Sequence, residues 1–202
     1  MNNITGLVIA TKIEAEPFIN GLKLSLFESK PIRFYSNNTI ILSISDIGKS
    51  NAAIASSLLI EKYHVSMVIN LGAAGAAVPG FNIGAILHIN KIYELDRPRL
   101  LSGDPVIHNP DTLNDFTMAS LATQDRPILN ESERLAAGVF ADLVDMEGAA
   151  VVQACRMFGA RAYLYKIVTD TAGCSTIDII KNMLATRNSL FRFFSDRVMP
   201  HI

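Results

Sequence analysis

The sequence predicts an α/β fold, a three-layer α/β/α sandwich around a central mixed sheet. Three observations point there. Apolar runs of strand length alternate with helical segments along the chain, the pattern of packed βα units. Half of the residues are hydrophobic and only 18% are charged, which suits strands covered on both faces. No internal repeat, low-complexity tract or linker interrupts the pattern, so residues 1–202 are expected to form a single domain.

The elements follow in order. ITGLVIA (4–10) is an apolar strand, and IEAEPFINGLKL a short helix with Pro17 near its first turn, where proline is tolerated. PIRFYS and TIILSI flank Asn37-Asn38, a hairpin signal. In SDIGKSNAAIASSLLIEKY, Gly48 makes the turn and positions 53, 54, 58, 59 and 60 give a helix its apolar face. SMVINLG (66–72) is a strand, AAGAAVPG (73–80) a small-residue loop, and IGAILHINKIYEL (83–95) a long strand. Residues 96–118 carry three prolines without a period, an irregular excursion that suits a lid or a partner contact. ASLATQD (119–125) returns as a strand. NESERLAAGVF (130–140) is a helix with Asn130 and Glu133 in capping-box spacing. LVDMEGAAVVQACRMFGARAYLYKIVTD (143–170) reads strand, turn, helix, strand, with Gly159 ending the helix. Ser175 to Asp178 cap a last long helix that stops before Pro200.

Bulk properties exclude several classes. The net charge is -1 and the basic residues are scattered, so no nucleic-acid partner is expected. The apolar runs break well before the roughly 18 residues of a membrane span, and the N-terminus lacks the cationic region of a signal peptide. Cys155 and Cys174 form no metal-type spacing, and a reducing cytoplasm is the simplest setting. The mean hydropathy of +0.28 also suits a buried homo-oligomer interface.

Two acids at element ends stand out. Glu147 lies where a strand meets its helix, and Asp170 ends the strand YLYKIVTD. Ligands bind at the carboxyl ends of strands in open α/β sheets. By spacing alone, Glu147 serves equally as an acid at a helix N-terminus and Asp170 as an N-cap. Gly72-Ala73-Ala74-Gly75 allows close backbone approach to a ligand, or simply a tight turn. GKS at 48–50 resembles the tail of a phosphate loop but lacks its earlier glycine. Glu14 and Glu16 suit a first helical turn and solvent. His64, His88, His108 and His201 share no motif, and no GxSxG elbow exists.

Four segments in order, DIGKSNAAIASS, SMVINLGAAGAA, VDMEGAAVVQAC and KIVTDTAG, resemble the purine nucleoside phosphorylase/nucleosidase superfamily. The branch most similar is that of the 5′-methylthioadenosine/S-adenosylhomocysteine nucleosidases. The resemblance implies the nucleoside phosphorylase/hydrolase-like sandwich and cleavage of a purine N-glycosidic bond. It implies a small-molecule nucleoside substrate, a homodimer or higher homo-oligomer, and neither cofactor nor metal. It makes Asp170 the acid at purine N7, and Glu14, not Glu16, the residue that activates water. It makes Glu147 the ligand of the ribose hydroxyls and Met146 the packing against the sugar. Ile128 lies where the family's backbone holds the base edge, and Gly72 and Ala73 where its Gly-rich turn meets the ligand.

The departures from the family pattern are specific. Ala73 stands in place of a serine, Thr169 of a serine, Lys166 of an arginine and Pro127 of an aromatic that stacks on the base. Few donors for phosphate surround the Gly-rich turn, which favours water over phosphate as nucleophile. A phosphorylase and a non-catalytic nucleoside-binding relative are the alternatives. The segment from Asp96 to Leu121 is about twenty residues shorter than in typical relatives, a difference that suits a bulkier 5′ substituent, as in futalosine-type nucleosides. An acid at N7 has to keep its proton near neutral pH, which calls for a desolvated site around Asp170. An inward-pointing Lys166 would oppose that.

Overall fold

The computed structural model describes residues 4–202. Its sheet grows from β1 (Thr5–Ile9), which lies between β4 (Ile40–Ile44) and β5 (Met67–Ala76), parallel to both. Beyond β4 come β3 (Arg33–Ser36) and the short strand β2 (Ser25–Glu28), both antiparallel additions. On the other side, β10 (Arg161–Asp170) runs parallel to β5. β6 (Ile86–Pro98), β8 (Met118–Thr123) and β9 (Leu143–Asp145) then follow in turn. β9 returns to the end of β5 at Gly75 and Ala76, closing these five strands into a ring. β7 (Pro105–His108) pairs with the outer part of β6.

Helices cover both faces, as the composition predicts. Alternation along β1 sends Leu7 and Ile9 to one side and Val8 to the other. The first side packs on α1 (Lys12–Gly21), α5 (Thr176–Phe193) and the turn that follows it, chiefly through Phe18, Leu190 and Phe194. The second packs on α2 (Lys49–Tyr63) and α4 (Gly148–Met157), through Ala55, Leu59, Val151 and Cys155. The short helix α3 (Glu131–Gly138) seals the ring with Ala137 against Ala122, Ile128 and Val144. No helix among the described residues is long and apolar enough to cross a membrane. Neither cysteine is in a disulfide.

Most expected elements form, with four corrections. The strand expected to stop at Gly72 runs on to Ala76, because β10 pairs with it through the small-residue stretch. The excursion at 96–118 is partly regular: β6 continues to Pro98 and hairpins into β7. Its remainder is anchored by His88, whose Nδ1–H donates to Leu164 O at 2.9 Å while Nε2 accepts from Leu113 N–H at 3.0 Å. Burial pulls this imidazole below its usual pKa, in keeping with a neutral structural role. On α2, the buried positions are Ala52, Ala55, Ser56, Leu59 and Ile60, and Ile54 faces outward. Ser56 is tolerated inside because its hydroxyl donates to Ala52 O at 2.8 Å.

Pro17 lies in the second turn of α1 rather than the first. It has no N–H to give to Ile13 O. Arg187 of α5 takes that carbonyl instead, donating at 3.0 Å, and also pairs with Glu16 at 2.5 Å. Phe18 completes the joint between the two helices, edge-on to Phe191 and tilted against Phe194. Truncating that fully buried ring leaves a cavity between α1, α5 and the sheet. Phe18→Ala is expected to lower unfolding free energy by about 3–5 kcal/mol in urea titrations.

Candidate active site

The residues singled out by sequence meet at one cavity of about 160 Å³. Its walls come from the start of α1, the ends of β5 and β10, the β9–α4 turn and the loop after β8. Glu14, Ala73, Pro127, Ile128, Met146, Glu147, Thr169 and Asp170 all line it. Gly72 does not. It lies under Glu14, where an added Cβ would come within 3.0 Å of the carboxylate. Its lack of a side chain makes room for Glu14.

Glu14 is held from both oxygens. Oε2 accepts from the backbone N–H of Thr11 at 3.1 Å and its hydroxyl at 2.6 Å, completing a capping box for α1. Oε1 accepts from Ala73 N–H at 2.8 Å. The carboxylate is therefore buried at a helix start with a fixed direction, unlike the exposed Glu16. The solvated role that spacing allowed for Glu14 does not describe it.

Glu147 occupies the N-cap position of α4, yet its side chain makes no capping bond. Asp145 does that work instead: Oδ2 accepts from Gly148 N–H at 2.8 Å. Asp145 also takes Thr123 Oγ1–H at 2.6 Å and the Lys166 ammonium at 2.8 Å. Glu147 is thus free to face the cavity, and Oε1 accepts from Gly48 N–H at 3.0 Å, at the start of α2. Burial, reinforced by the charge of Asp145, raises its carboxyl from 4.5 to about 7. Lys166 and the Gly48 N–H oppose the rise. The Lys166 ammonium is fully buried. Burial alone would favour its neutral form, but Asp145, Glu147 and Glu14 outweigh that and raise its pKa.

Asp170 is placed by a bulge. The β5–β10 register slips between Val168 and Asp170, so that Thr169 is the extra residue and Asp170 falls opposite Gly75. The N-cap of α5 is Ser175, not Asp170. The expected uncharged surroundings of Asp170 are not found. Its Oδ2 is ion-paired with Arg134 Nη2 at 2.5 Å, and both residues are buried. Lys166, the cation expected to disturb it, turns to Asp145. Arg134 also donates to Ala76 O at 2.8 Å and Ile128 O at 2.9 Å. One guanidinium therefore ties together β5, the loop after β8 and Asp170. Sequence reasoning missed Arg134, since one arginine in the polar helix NESERLAAG looks solvent-facing. Gly75 is the matching signal, because any Cβ there would come within 2.5 Å of both Arg134 and Asp170.

The remaining motifs resolve plainly. Asn130 caps α3 by accepting from Glu133 N–H, but Glu133 reaches Arg126 and does not complete the box. Lys49 of the GKS segment is enclosed by Glu94 and Asp96, at 3.0 and 2.6 Å, so that motif presents no free ammonium for a phosphate. Among the described residues, no three His, Cys, Asp or Glu side chains are arranged to hold a metal.

Two measurements test this electrostatic picture. A carboxyl whose pKa is raised on folding contributes stability below the unfolded value and loses it as pH rises through the folded one. The melting temperature of the ligand-free protein should therefore carry a component that falls between pH 4.5 and about 7. Glu147→Gln should flatten that component. Gly75→Ala should destabilise by about 1–3 kcal/mol in denaturant titrations, the range for overpacking a buried site.

Comparison with known proteins agrees with this architecture. A family model described as the phosphorylase superfamily matches residues 5–194. The aminodeoxyfutalosine nucleosidase of Campylobacter jejuni is 27% identical over 162 residues, covering 69% of this chain and 71% of that protein. A 5′-methylthioadenosine/S-adenosylhomocysteine nucleosidase of Bacillus velezensis is 30% identical over 165 residues, with 69% and 71% covered. Among solved structures, the native futalosine hydrolase of Helicobacter pylori superposes with a TM-score of 0.86 at 17% identity, over 98% or more of both chains. The Campylobacter jejuni 5′-methylthioadenosine/S-adenosylhomocysteine nucleosidase gives 0.81 at 23% identity, covering 94% of this chain and 96% of that one. With nearly its whole length matched by the family model, the chain belongs to the phosphorylase superfamily.

Proposed function

We propose that this protein hydrolyses the N-glycosidic bond of a purine nucleoside carrying a modified 5′ position. The observation that carries the reading is the convergence of Glu14, Glu147 and Asp170 on one cavity, with the ordinary capping duty at α4 given to Asp145. Relatives named as nucleosidases for 5′-methylthioadenosine and aminodeoxyfutalosine support it.

The chemistry follows from charge. Breaking the bond builds positive charge on the ribose, as in glycoside hydrolysis. Glu147, accepting the ribose hydroxyls, stabilises that charge from the sugar side, and Met146 packs on the ring. Glu14, fixed by Thr11 and Ala73, draws a proton from the attacking water. Asp170 engages N7 of the leaving purine, whose edge meets the backbone at Ile128 while Pro127 and Thr169 border it. In doing so Asp170 passes its proton to N7 as the bond breaks, and Arg134 stabilises the carboxylate that is left behind. Ala73 offers phosphate no hydroxyl, and water is the nucleophile. Exposed Met157 and Phe158 at the end of α4, beside Ala53 of α2, give an apolar patch suited to a second copy of the chain. The unpaired cysteines suit a cytoplasmic setting.

Base release from 5′-methylthioadenosine, adenosine and futalosine, measured with and without phosphate, tests the reaction class. Release in the absence of phosphate is expected. Strict phosphate dependence would make the protein a phosphorylase, and silence on a broad nucleoside panel would favour a binding relative. Asp170→Asn should cost on the order of 10²–10⁴ in kcat, the range for a positioned proton donor. Glu14→Gln should abolish turnover, whereas Glu16→Gln should leave it near wild type. Light scattering should report a mass of at least two chains.

A further inference from the structure

Glu147 receives one backbone hydrogen bond from outside its own turn, and that bond comes from Gly48. The position of the Gly48 N–H depends on how the first turn of α2 is held. Asn51 Nδ2 donates to Ile47 O at 2.8 Å within that turn, and the three contacts that tie it to the rest of the protein are made by Lys49. Its backbone N–H donates to Asp125 Oδ1 at 2.9 Å. Its ammonium is bound by Glu94 Oε1 at 3.0 Å and by Asp96 Oδ1 at 2.6 Å. The other oxygen of Asp96 accepts from Asp125 N–H at 2.8 Å, which closes the circle.

This arrangement is more than a surface ion pair. Glu94 is buried. Gly48 has a φ of +107°, a backbone state that other residues rarely adopt, and an added Cβ would come within 2.9 Å of Asp125 Oδ1. Asp125 also begins the loop that carries Pro127 and Ile128. The same clamp therefore spans both sides of the cavity, from the α2 turn at Ile47 and Gly48 to the loop that faces the base.

We propose that Lys49 and Asp125 are positioning residues: together they keep the Gly48 N–H on Glu147 and so set the direction of the carboxylate that meets the ribose. The proposal rests on the nucleosidase reading for the word ribose, but not for the hydrogen bond itself. It gives the GKS segment a role unrelated to phosphate. Lys49 is the cation at the centre of the clamp, and its loss frees one oxygen of Asp96 while the other stays on Asp125 N–H. Glu94 keeps its contacts with His108 and Arg97.

A pH series of melting temperatures tests the clamp without any activity. Glu147 is faced by Asp145, Lys166, Glu14 and the Gly48 N–H, and only the last is attached to the clamp. Losing that N–H disfavours the carboxylate. Asp125→Ala is therefore expected to extend the Glu147-dependent loss of stability to higher pH. Removal of a neighbouring negative charge acting through space alone would do the opposite. Lys49→Met should move it in the same direction as Asp125→Ala, and Lys49→Arg should restore most of the wild-type profile. In a Glu147→Gln background neither substitution should move it. A shift to lower pH in Asp125→Ala, or an equal shift in the Glu147→Gln background, overturns the proposal.

Kinetics supply the second arm. With adenosine, Lys49→Met should raise KM on the order of 10-fold, as for other residues that orient a ligand from behind, with a smaller change in kcat. With 2′-deoxyadenosine the effect should shrink, and Lys49→Met combined with Glu147→Gln should be no worse than Glu147→Gln alone. Equal losses on both nucleosides, or additive losses in the double variant, overturn the positioning role. A wild-type protein silent on both nucleosides and also on 5′-methylthioadenosine and futalosine sinks the nucleosidase reading, and the melting series then decides the clamp.

Discussion

The site depends on one buried carboxylate that takes no part in the proposed chemistry. Asp145 accepts from the first N–H of α4, from Thr123 and from the Lys166 ammonium. Three donors from three elements meet at its two oxygens, which is what a charge in the interior needs if it is to be tolerated. Because Asp145 caps α4, Glu147 two residues later does not. Because Lys166 is bound there, it does not reach Asp170. Removing Asp145 would leave the Lys166 ammonium with only the more distant charges of Glu147 and Glu14, and would open the end of α4.

The same economy recurs around the cavity. Glu14 closes the α1 capping box with one oxygen and holds the Ala73 backbone with the other. Arg134 pairs with Asp170 while fixing two carbonyls that shape the wall. Each polar side chain here performs a folding task and faces the cavity or supports one that does. Rigidity is the result: the groups that would meet a transition state are oriented before a ligand arrives.

Much of this was legible in the sequence. Strand-length apolar runs located nearly every strand, and Ser175 and Asp178 announced the last helix with its reciprocal cap. Glu147 and Asp170 stood out because acids interrupt apolar segments at element ends. The resemblance to a family supplied Glu14 and Ile128, which composition alone could not separate from ordinary surface and core. What stayed hidden depended on distance along the chain. Arg134 lies 36 residues before Asp170, and nothing local in its helix signals an inward guanidinium. The extension of β5 through Gly72–Ala76 escaped notice because small residues weaken a strand signal, and only the neighbouring β10 keeps that stretch extended. Pro17 falls in the second turn because the Thr11 cap sets the start of the helix at Lys12.

The closing of the ring by β9 on the end of β5 has a consequence for how the molecule behaves in crowded solution. A sheet open at both sides would offer long rows of unpaired amides to neighbouring molecules, a template for aggregation. Here the five strands nearest the cavity pair in a closed circuit, so that none of them is an edge strand. The outermost strands are β2 and β7, each of four residues. They are short margins that give an intruding chain little to grip, so a protein with half its residues apolar still leaves few unpaired strand amides on its outside.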